Sequence, residues 1–447
     1  MGHVIGGTLL VALVYGSMYL RHADSSYGSP HIMNASRPVV GIVVGGGPAP
    51  GINSVISAVT IRSILGGCDV VGIIDGFKWL MEGNTSQVRS LSMEEVSRIH
   101  FRGGSHLGTS RANPTKKAES LATVLSCLMK LGITRLVTIG GDDTAFSSLK
   151  LEEQAAGRIQ IVHVPKTIDN DLDLPSGIPT FGFQTARHFA VEIVKNLMVD
   201  AHTTARWYFA VTMGRKAGHL ALGIGKAAGA TLTVIPEEFT ERPVRLQHLV
   251  DLVIGTMIKR LSGGRSDGVV VLAEGLIEML DPQDLGGLDH VERDEHGHLR
   301  LAEVDIGEVL RREVAKGMKA LGLATTIVAK NVGYELRCAD PIPFDMEYTR
   351  DLGYCAAQFL LDGGTAAMVS IQDGRFTPIP FKQMLDPVSG RAKVRMVDIT
   401  AQSYQIARQY MIRLFGDDFK DPVTLGRYAG LAGLSPEVFQ RRFQPVV

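Results

Sequence analysis

The chain has 447 residues, of which 45% are hydrophobic and 21% charged, with 46 Lys plus Arg balanced by 46 Asp plus Glu. That length allows two or three domains at roughly 150 residues each, the composition excludes wholesale disorder, and the zero formal charge removes the basic footprint of an obligate nucleic-acid binder. Glycine is the outlier at 50 residues without a collagen period, which calls for many tight turns or close backbone approaches.

Residues 1–36 read as an N-terminal extension. Val4 to Leu20 is uncharged and largely apolar, but it contains three glycines, no Lys or Arg precedes it, and position 6 lacks the Ser or Thr of a myristoylation signal. The expectation is a dispensable stretch, with Met33 as an alternative start. From Val39 onward short β-branched runs alternate with segments of helical period. Strands are expected at Val39 to Val44, Val70 to Ile74, Leu136 to Ile139, Ile159 to Val164, Tyr208 to Thr212, Leu232 to Ile235 and Val269 to Leu272. Helices are expected between them, including one carrying Ile52, Val55, Ile56 and Val59, one ending at Gly132, and others over Ala186 to Met198 and Leu246 to Leu261. Ile277 to Arg300 is rich in charged residues and Gly and reads as an exposed insertion, followed by a helical pattern at Val309, Leu310, Val314, Met318 and Leu321 suited to packing or subunit contact. The four scattered cysteines, Cys68, Cys127, Cys338 and Cys355, have no metal-ligand spacing and read as reduced thiols of a cytoplasmic protein.

Continuous apolar strands alternating with amphipathic helices specify an α/β fold with doubly wound parallel sheets, whose ligands sit beyond the carboxyl ends of the strands. Four strand exits stand out. Gly45 to Gly51 offers glycines ahead of a helix N-terminus, a turn that alone is compatible with either anion binding or simple chain reversal. Gly140 to Thr144 and Pro165 to Asp171 supply Asp142, Asp143, Asp169 and Asp171. In an extended segment Asp169 and Asp171 would face the same side. Any one of these aspartates could cap a helix, but four together repel unless a divalent cation, Lys166 or protonation compensates. Met213 to Gly218 places Arg215 and Lys216 at another exit, suited to phosphate or carboxylate oxygens or to a plain basic turn. His219, next in the chain, reads as a helix-start residue. The set describes a metal-assisted phosphotransferase acting on a small phosphorylated substrate, without naming the substrate.

Over residues 38 to about 400 the sequence resembles the phosphofructokinase family. The resemblance is carried, in this order, by Gly46-Gly47-Pro48-Ala49-Pro50-Gly51, Gly140-Gly141-Asp142-Asp143-Thr144, Pro165-Lys166-Thr167-Ile168-Asp169-Asn170-Asp171, Met213-Gly214-Arg215, Ala273-Glu274-Gly275 and Gly333-Tyr334-Glu335-Leu336-Arg337. It implies two Rossmann-like domains with the active site in the cleft between them, and reversible Mg²⁺-dependent phosphoryl transfer to the 1-hydroxyl of fructose 6-phosphate. By similarity Asp169 is the base, Thr167, Asp171 and Arg215 complete the reaction centre, and Asp142 holds Mg²⁺. Thr167, Met213, Gly214, Arg215, Glu274, Tyr334 and Arg337 bind the sugar phosphate. Arg206 matches an arginine that reaches the neighbouring subunit's sugar phosphate, implying a homo-oligomer, dimer or tetramer.

Where ATP-using members carry glycines, this chain has Asp143 and Lys166, as the pyrophosphate-dependent branch does. A carboxylate at 143 would repel a nucleotide's α-phosphate, and Lys166 suits compact, highly charged pyrophosphate. Gly47, Arg111 and Thr144 join them as pyrophosphate-binding positions by the same resemblance. Another family arginine falls at Val328 by straight counting, with Lys330 as a substitute. The implied domains are 37–177 with 337–395 for pyrophosphate and Mg²⁺, and 178–336 with 396–447 for the sugar phosphate, with an insertion near 277–325. The alternatives are an ATP-dependent enzyme of the same fold, a pyrophosphate-dependent kinase of another sugar phosphate such as sedoheptulose 7-phosphate, and a non-catalytic regulatory subunit, which the retained Asp142, Asp169 and Asp171 oppose.

Overall fold

A computed structural model of the chain describes residues 37–175, 177–286, 304–385 and 393–447. The expectations for the N-terminal extension, its apolar run and Met33, and for the 287–303 part of the insertion, lie outside the described residues. In chain order the strands are β1 (Val39–Val44), β2 (Asp69–Ile73), β3 (Val88–Ser90), β4 (Ile133–Gly140), β5 (Gln160–Pro165), β6 (Trp207–Thr212), β7 (Leu232–Val234), β8 (Gly268–Ala273), β9 (Ile327–Val332), β10 (Ala367–Met368), β11 (Ile371–Gln372), β12 (Arg375–Phe376) and β13 (Ile379–Pro380). The longer helices are α1 (Ile52–Leu65), α2 (Ala118–Lys130), α3 (Asp142–Ala155), α4 (Phe183–Thr204), α5 (His219–Ala228), α6 (Leu246–Ser262), α7 (Ile306–Ala320), α8 (Pro343–Leu361), α9 (Gln402–Tyr410), α10 (Pro422–Leu431) and α11 (Pro436–Phe443). Each expected strand is present, with ends shifted by a few residues at most, and α4 runs past both ends of its expected range.

Two large sheets organise these elements, and β11 and β12 pair as a separate antiparallel ribbon. The first has the order β13-β10-β5-β4-β1-β2-β3 and the second β7-β8-β6-β9. β1, β2, β4, β5 and β10 are parallel, as are all four strands of the second sheet, while β3 and β13 are antiparallel edges. In β1 every residue is buried, because Val40, Ile42 and Val44 face one layer with Ile56 and Leu352 while Val39 and Val43 face another with Leu128 and Leu149. β6 divides in the same way, Trp207, Phe209 and Val211 to one side and Tyr208 and Ala210 to the other. A strand covered on both faces has no reason to alternate apolar with polar, which is why the pattern reads as unbroken hydrophobic runs.

The strand order fixes where ligands can enter. In the first sheet the chain moves from β1 outward to β2, then returns to β4 on the other side; in the second it leaves β6 for β7 and β8, then returns to β9. Each reversal leaves a crevice between the carboxyl ends of adjacent strands, β1 with β4 and β6 with β9.

The segment from Ile277 is a correction to the reading of an exposed insertion. Ile277, Met279, Leu280 and Leu285 are buried in the core beneath the second sheet, together with Ile306, Leu310, Val314 and Met318 of α7. The tail after residue 400 closes that same core through Phe419, Tyr428, Phe439 and Phe443. Each such burial contributes about 1.5–3 kcal/mol, so these segments are structural parts of the second half. Among the described residues no helix is long and apolar enough to cross a membrane.

α1 and α8 cross over the first sheet in close contact. A Cβ at Gly353 would lie 2.8 Å from both Ala58 Cβ and the Val55 carbonyl oxygen, so the helices approach only because that position is glycine. Gly353→Val is expected to cost about 1–3 kcal/mol of stability, read as a lowered urea midpoint. An unchanged midpoint would show that the two helices can separate without loss.

Candidate functional site

The first crevice is built from glycine loops. Gly46 adopts φ 81°, its N–H donates to the Ser110 carbonyl, and its own carbonyl accepts from Thr109 Oγ1 at 2.6 Å. A Cβ at Gly45 or Gly140 would strike the Thr144 side chain, and one at Gly47 would strike the Arg337 guanidinium. The glycines therefore make room for protein groups as much as for a ligand. Buried Lys166 reaches across from the end of β5 and donates from Nζ to the Gly47 carbonyl at 2.5 Å. Burial pulls the Lys166 ammonium down to about 8, against the opposing charge of Asp169.

At the β4 exit Gly141 is the N-cap of α3, with Asp142 and Asp143 in its first turn and no side-chain cap present. Neither carboxylate is consumed in capping, and both sit where the helix dipole favours negative charge.

The Pro165 to Asp171 loop departs from the extended geometry expected of it. Thr167 Oγ1 accepts the Asp169 N–H at 3.0 Å, and Asn170 is left-handed at φ 58°, so alternation does not describe how Asp169 and Asp171 are related. Burial raises the Asp169 carboxyl, with Arg215 opposing. Burial, then the Asp169 charge, pushes Asp171 up to about 6.

The second sheet contributes the facing cations. Gly214 N–H and Arg215 N–H both donate to Glu274 Oε1, at 3.1 and 2.8 Å, which fixes a turn where Arg215 is left-handed at φ 50°. From that turn Arg215 crosses to the first half, donating from Nη1 to Asp142 Oδ1 at 2.9 Å and approaching Asp169 Oδ2 at 3.8 Å. Although burial opposes its charge, Asp142, Asp171 and Asp169 hold the guanidinium above its ordinary range. His219 opens α5 and donates from Nε2 to the Arg395 carbonyl at 3.0 Å, as a helix-start residue rather than part of the cavity wall.

Two cavities share these walls. A smaller one of about 200 Å³ is lined by Gly47, Arg111, Asp142, Asp143, Thr144, Lys166, Thr167, Asp169, Met213, Arg215, Glu274 and Arg337. A larger one of about 1110 Å³ shares Arg111, Asp142, Asp143, Met213, Arg215 and Glu274, and adds Asp171 and Tyr334. Gly214 is buried behind Glu274, and Tyr334 stands 75% exposed with Arg337 over its ring at 5.4 Å. Arg206 is not brought to these cavities: it precedes β6, at the opposite end of a strand about 20 Å long, and its Nε is buried without a hydrogen-bond partner. Neither Val328 nor Lys330 lines either cavity. Ser110, next to Arg111 in Gly108-Thr109-Ser110-Arg111, does, as do Asn113, Ser147, Asp305 and Asn331, which no sequence motif marked.

A carboxyl held near 6 keeps a proton that the unfolded chain releases near 4, so between those values stability falls as pH rises, and the ionised side chain costs stability at neutral pH. Asp171→Asn, measured without substrate or divalent cation, is expected to be about 1–3 kcal/mol more stable than the parent at pH 7.5, the gap closing below pH 4. A pH-independent gap, or a less stable variant at pH 7.5, would contradict this.

Comparison with known proteins gives the family of the chain. The phosphofructokinase family model matches residues 39–360. A pyrophosphate–fructose 6-phosphate 1-phosphotransferase of Thermotoga maritima is 54% identical over 409 residues, covering 90% of this chain and 97% of that protein. A protein of the same name from Naegleria fowleri is 48% identical over 419 residues, covering 92% of this chain and 96% of its own length. Among solved structures, the phosphofructokinase of Saccharomyces cerevisiae superposes with a TM-score of 0.62 at 21% identity, over 92% of this chain and 50% of that one. The chain thus spans half the length of the yeast protein, and that likeness is one of fold. The match of the family model and the identity to these relatives make the chain a member of the phosphofructokinase family.

Proposed function

We propose that the chain transfers a phosphoryl group reversibly from pyrophosphate to the 1-hydroxyl of fructose 6-phosphate, giving fructose 1,6-bisphosphate and phosphate. The observation that carries the donor assignment is that Asp143 and Lys166, which depart from the ATP-using pattern, line the same small cavity as Asp169 and Arg215. The names of the Thermotoga and Naegleria relatives support the same donor and acceptor.

In this reading the first-sheet half, residues 37–177 with 337–395, holds pyrophosphate, and the second-sheet half, 178–336 with 396–447, holds the sugar phosphate. Arg111, Thr144, Lys166 and the Gly47 loop surround the pyrophosphate. Its negative charge offsets the cost of keeping the Lys166 ammonium buried. Met213, Gly214, Glu274, Tyr334 and Arg337 orient fructose 6-phosphate, with Arg206 serving a neighbouring subunit's site in a homo-oligomer. Asp169 takes the proton from the sugar's 1-hydroxyl, Thr167 and Asp171 keep that carboxyl in place, and Arg215 faces the phosphoryl oxygens. As the bond from the bridging oxygen to the terminal phosphorus of pyrophosphate breaks, one forms from the sugar oxygen to that phosphorus, and phosphate leaves.

Phosphofructokinases generally use Mg²⁺. The donor set fits that ion: Asp142 and Asp143 stand side by side in the first turn of α3 and line the cavity, and Mg²⁺ characteristically takes one or two carboxylates with phosphate and water oxygens. Asp142 would hold it, with Asp143 alongside, and when bound it neutralises charge on the phosphate oxygens.

The test is the initial rate with fructose 6-phosphate and Mg²⁺, comparing pyrophosphate with ATP at equal concentration. Turnover with pyrophosphate alone is expected. Turnover with ATP alone would overturn the reading of Asp143 and Lys166, and silence with both would favour another sugar phosphate or a regulatory subunit. In the same assay Asp169→Ser is expected to lower kcat by about 10²- to 10⁴-fold with a modest change in KM for the sugar. An unchanged kcat would remove Asp169 from the role of base.

A further inference from the structure

The geometry points to Arg395 as a positioning residue that holds the base-bearing loop in its reactive shape and ties it to the turn that carries Arg215. It lies in a short segment between the described residues 393 and 397, and that segment touches both halves of the site.

On the first-sheet side the contact is made twice. Arg395 N–H donates to the Asp171 carbonyl at 2.8 Å, and Val394 pairs with Leu172 in an isolated antiparallel bridge. The guanidinium then wraps Asn170, the residue between Asp169 and Asp171: Nε donates to the Asn170 carbonyl at 3.1 Å and Nη2 to Asn170 Oδ1, while Nη1 donates to the Ile178 carbonyl at 2.8 Å. Asn170 Oδ1 also accepts the Thr180 N–H at 3.0 Å. A left-handed residue other than glycine persists where its surroundings over-determine it, and here both the backbone and the side chain of Asn170 are held. The planar fork of arginine makes three divergent contacts that a lysine ammonium on a flexible stem does not reproduce.

On the second-sheet side the Arg395 carbonyl accepts from His219 Nε2 at 3.0 Å; a carbonyl only accepts, so that ring nitrogen carries the proton. Two residues on, Val397 N–H donates to Glu237 Oε1 at 3.0 Å, and the same oxygen accepts the Gly218 N–H at 2.9 Å. Gly218 and His219 end the turn that begins at Met213 and contains Arg215. One segment therefore sets the distance between the carboxyl that accepts the proton and the guanidinium that faces it. Misplacing reacting groups by about 1 Å can cost on the order of 100-fold in rate.

The kinetic part of this inference rests on the phosphotransferase reading; the structural part does not. Full-length wild-type protein is compared with Arg395→Lys and Arg395→Met, by steady-state kinetics with pyrophosphate and fructose 6-phosphate and by amide hydrogen exchange over residues 167–174. The Met variant is expected to lose about 100-fold in kcat with KM for the sugar phosphate within about threefold, and the Lys variant to recover part of the loss. Exchange over 167–174 is expected to speed up in both while the strands β1 and β6 stay protected. Wild-type kcat in folded Arg395→Met, or unchanged exchange over that segment, would overturn the assignment. If neither variant folds, His219→Ala removes only the ring that holds the Arg395 carbonyl, and is expected to give the same pattern at smaller amplitude; wild-type kcat and exchange there would also overturn it. If wild-type protein turns over no pyrophosphate, the functional reading fails and the exchange comparison alone decides whether Arg395 holds the loop.

Discussion

The site depends on Arg215 sharing its charge between two carboxylates of the opposite half, Asp142 at 2.9 Å and Asp169 at 3.8 Å. Four aspartates gathered at the exits of neighbouring strands would drive one another toward protonation, and a proton acceptor that is already protonated is useless. Arg215 and Lys166 supply the opposing charge, Lys166 from within the same half, where it donates to the Gly47 carbonyl, and Arg215 from the other. Arg215 reaches Asp142 from a left-handed turn whose two N–H groups Glu274 accepts, so a carboxylate whose own charge raises Asp169 also holds the turn that carries the counter-charge. Removing the side chain of Arg215 and misfolding its turn are, electrostatically, the same event.

The cost of this arrangement is borne by burial. Lys166 and Asp171 are both nearly inaccessible, and burial pushes the titration of each toward its neutral form. A fold selected for stability alone would replace them with apolar groups or neutral amides. Two such groups in a crevice at a chain-reversal point mark a candidate site for a highly charged ligand.

The strands and the four chemical loops were legible in the sequence because what specifies them is local. Val39 to Val44 is apolar throughout, and Gly140 to Thr144 carries its own turn and its own carboxylates. What was not legible depends on partners far along the chain. The relation of Asp169 to Asp171 turns on Asn170, whose left-handed shape is held by Arg395, 225 residues away. Gly47 reads as a phosphate-binding glycine and also clears space for Arg337, a contact no spacing rule contains. Ile277 to Leu285 sits among charged residues and looks exposed, yet its apolar side chains find α7 and the C-terminal aromatics in the core. Composition averaged over a window hides a strongly apolar face when its partner is remote.

The layer beneath the loops follows a different rule from the loops themselves. His163 on β5 is fully buried, and burial drives its ring down to about 3, with the Lys166 charge acting in the same direction. The neutral ring donates from Nε2 to the Gly140 carbonyl at 3.0 Å, which leaves Nδ1 to accept the Thr138 hydroxyl proton at 2.9 Å; Ser148 Oγ, 2.6 Å from Thr138 Oγ1 and 2.7 Å from the Thr144 carbonyl, shares its single proton between those two oxygens. That chain of neutral groups fixes both ends of the Gly140 to Thr144 loop without adding charge near Asp142 and Asp143. A charged residue in its place would shift the very carboxylates it supports, whereas hydroxyls and a neutral imidazole satisfy the backbone and leave the electrostatic balance to Arg215, Lys166 and the ligand. Separation of a charged working layer from a neutral supporting layer is what lets so many carboxylates converge on one crevice while the strands below them keep an apolar core.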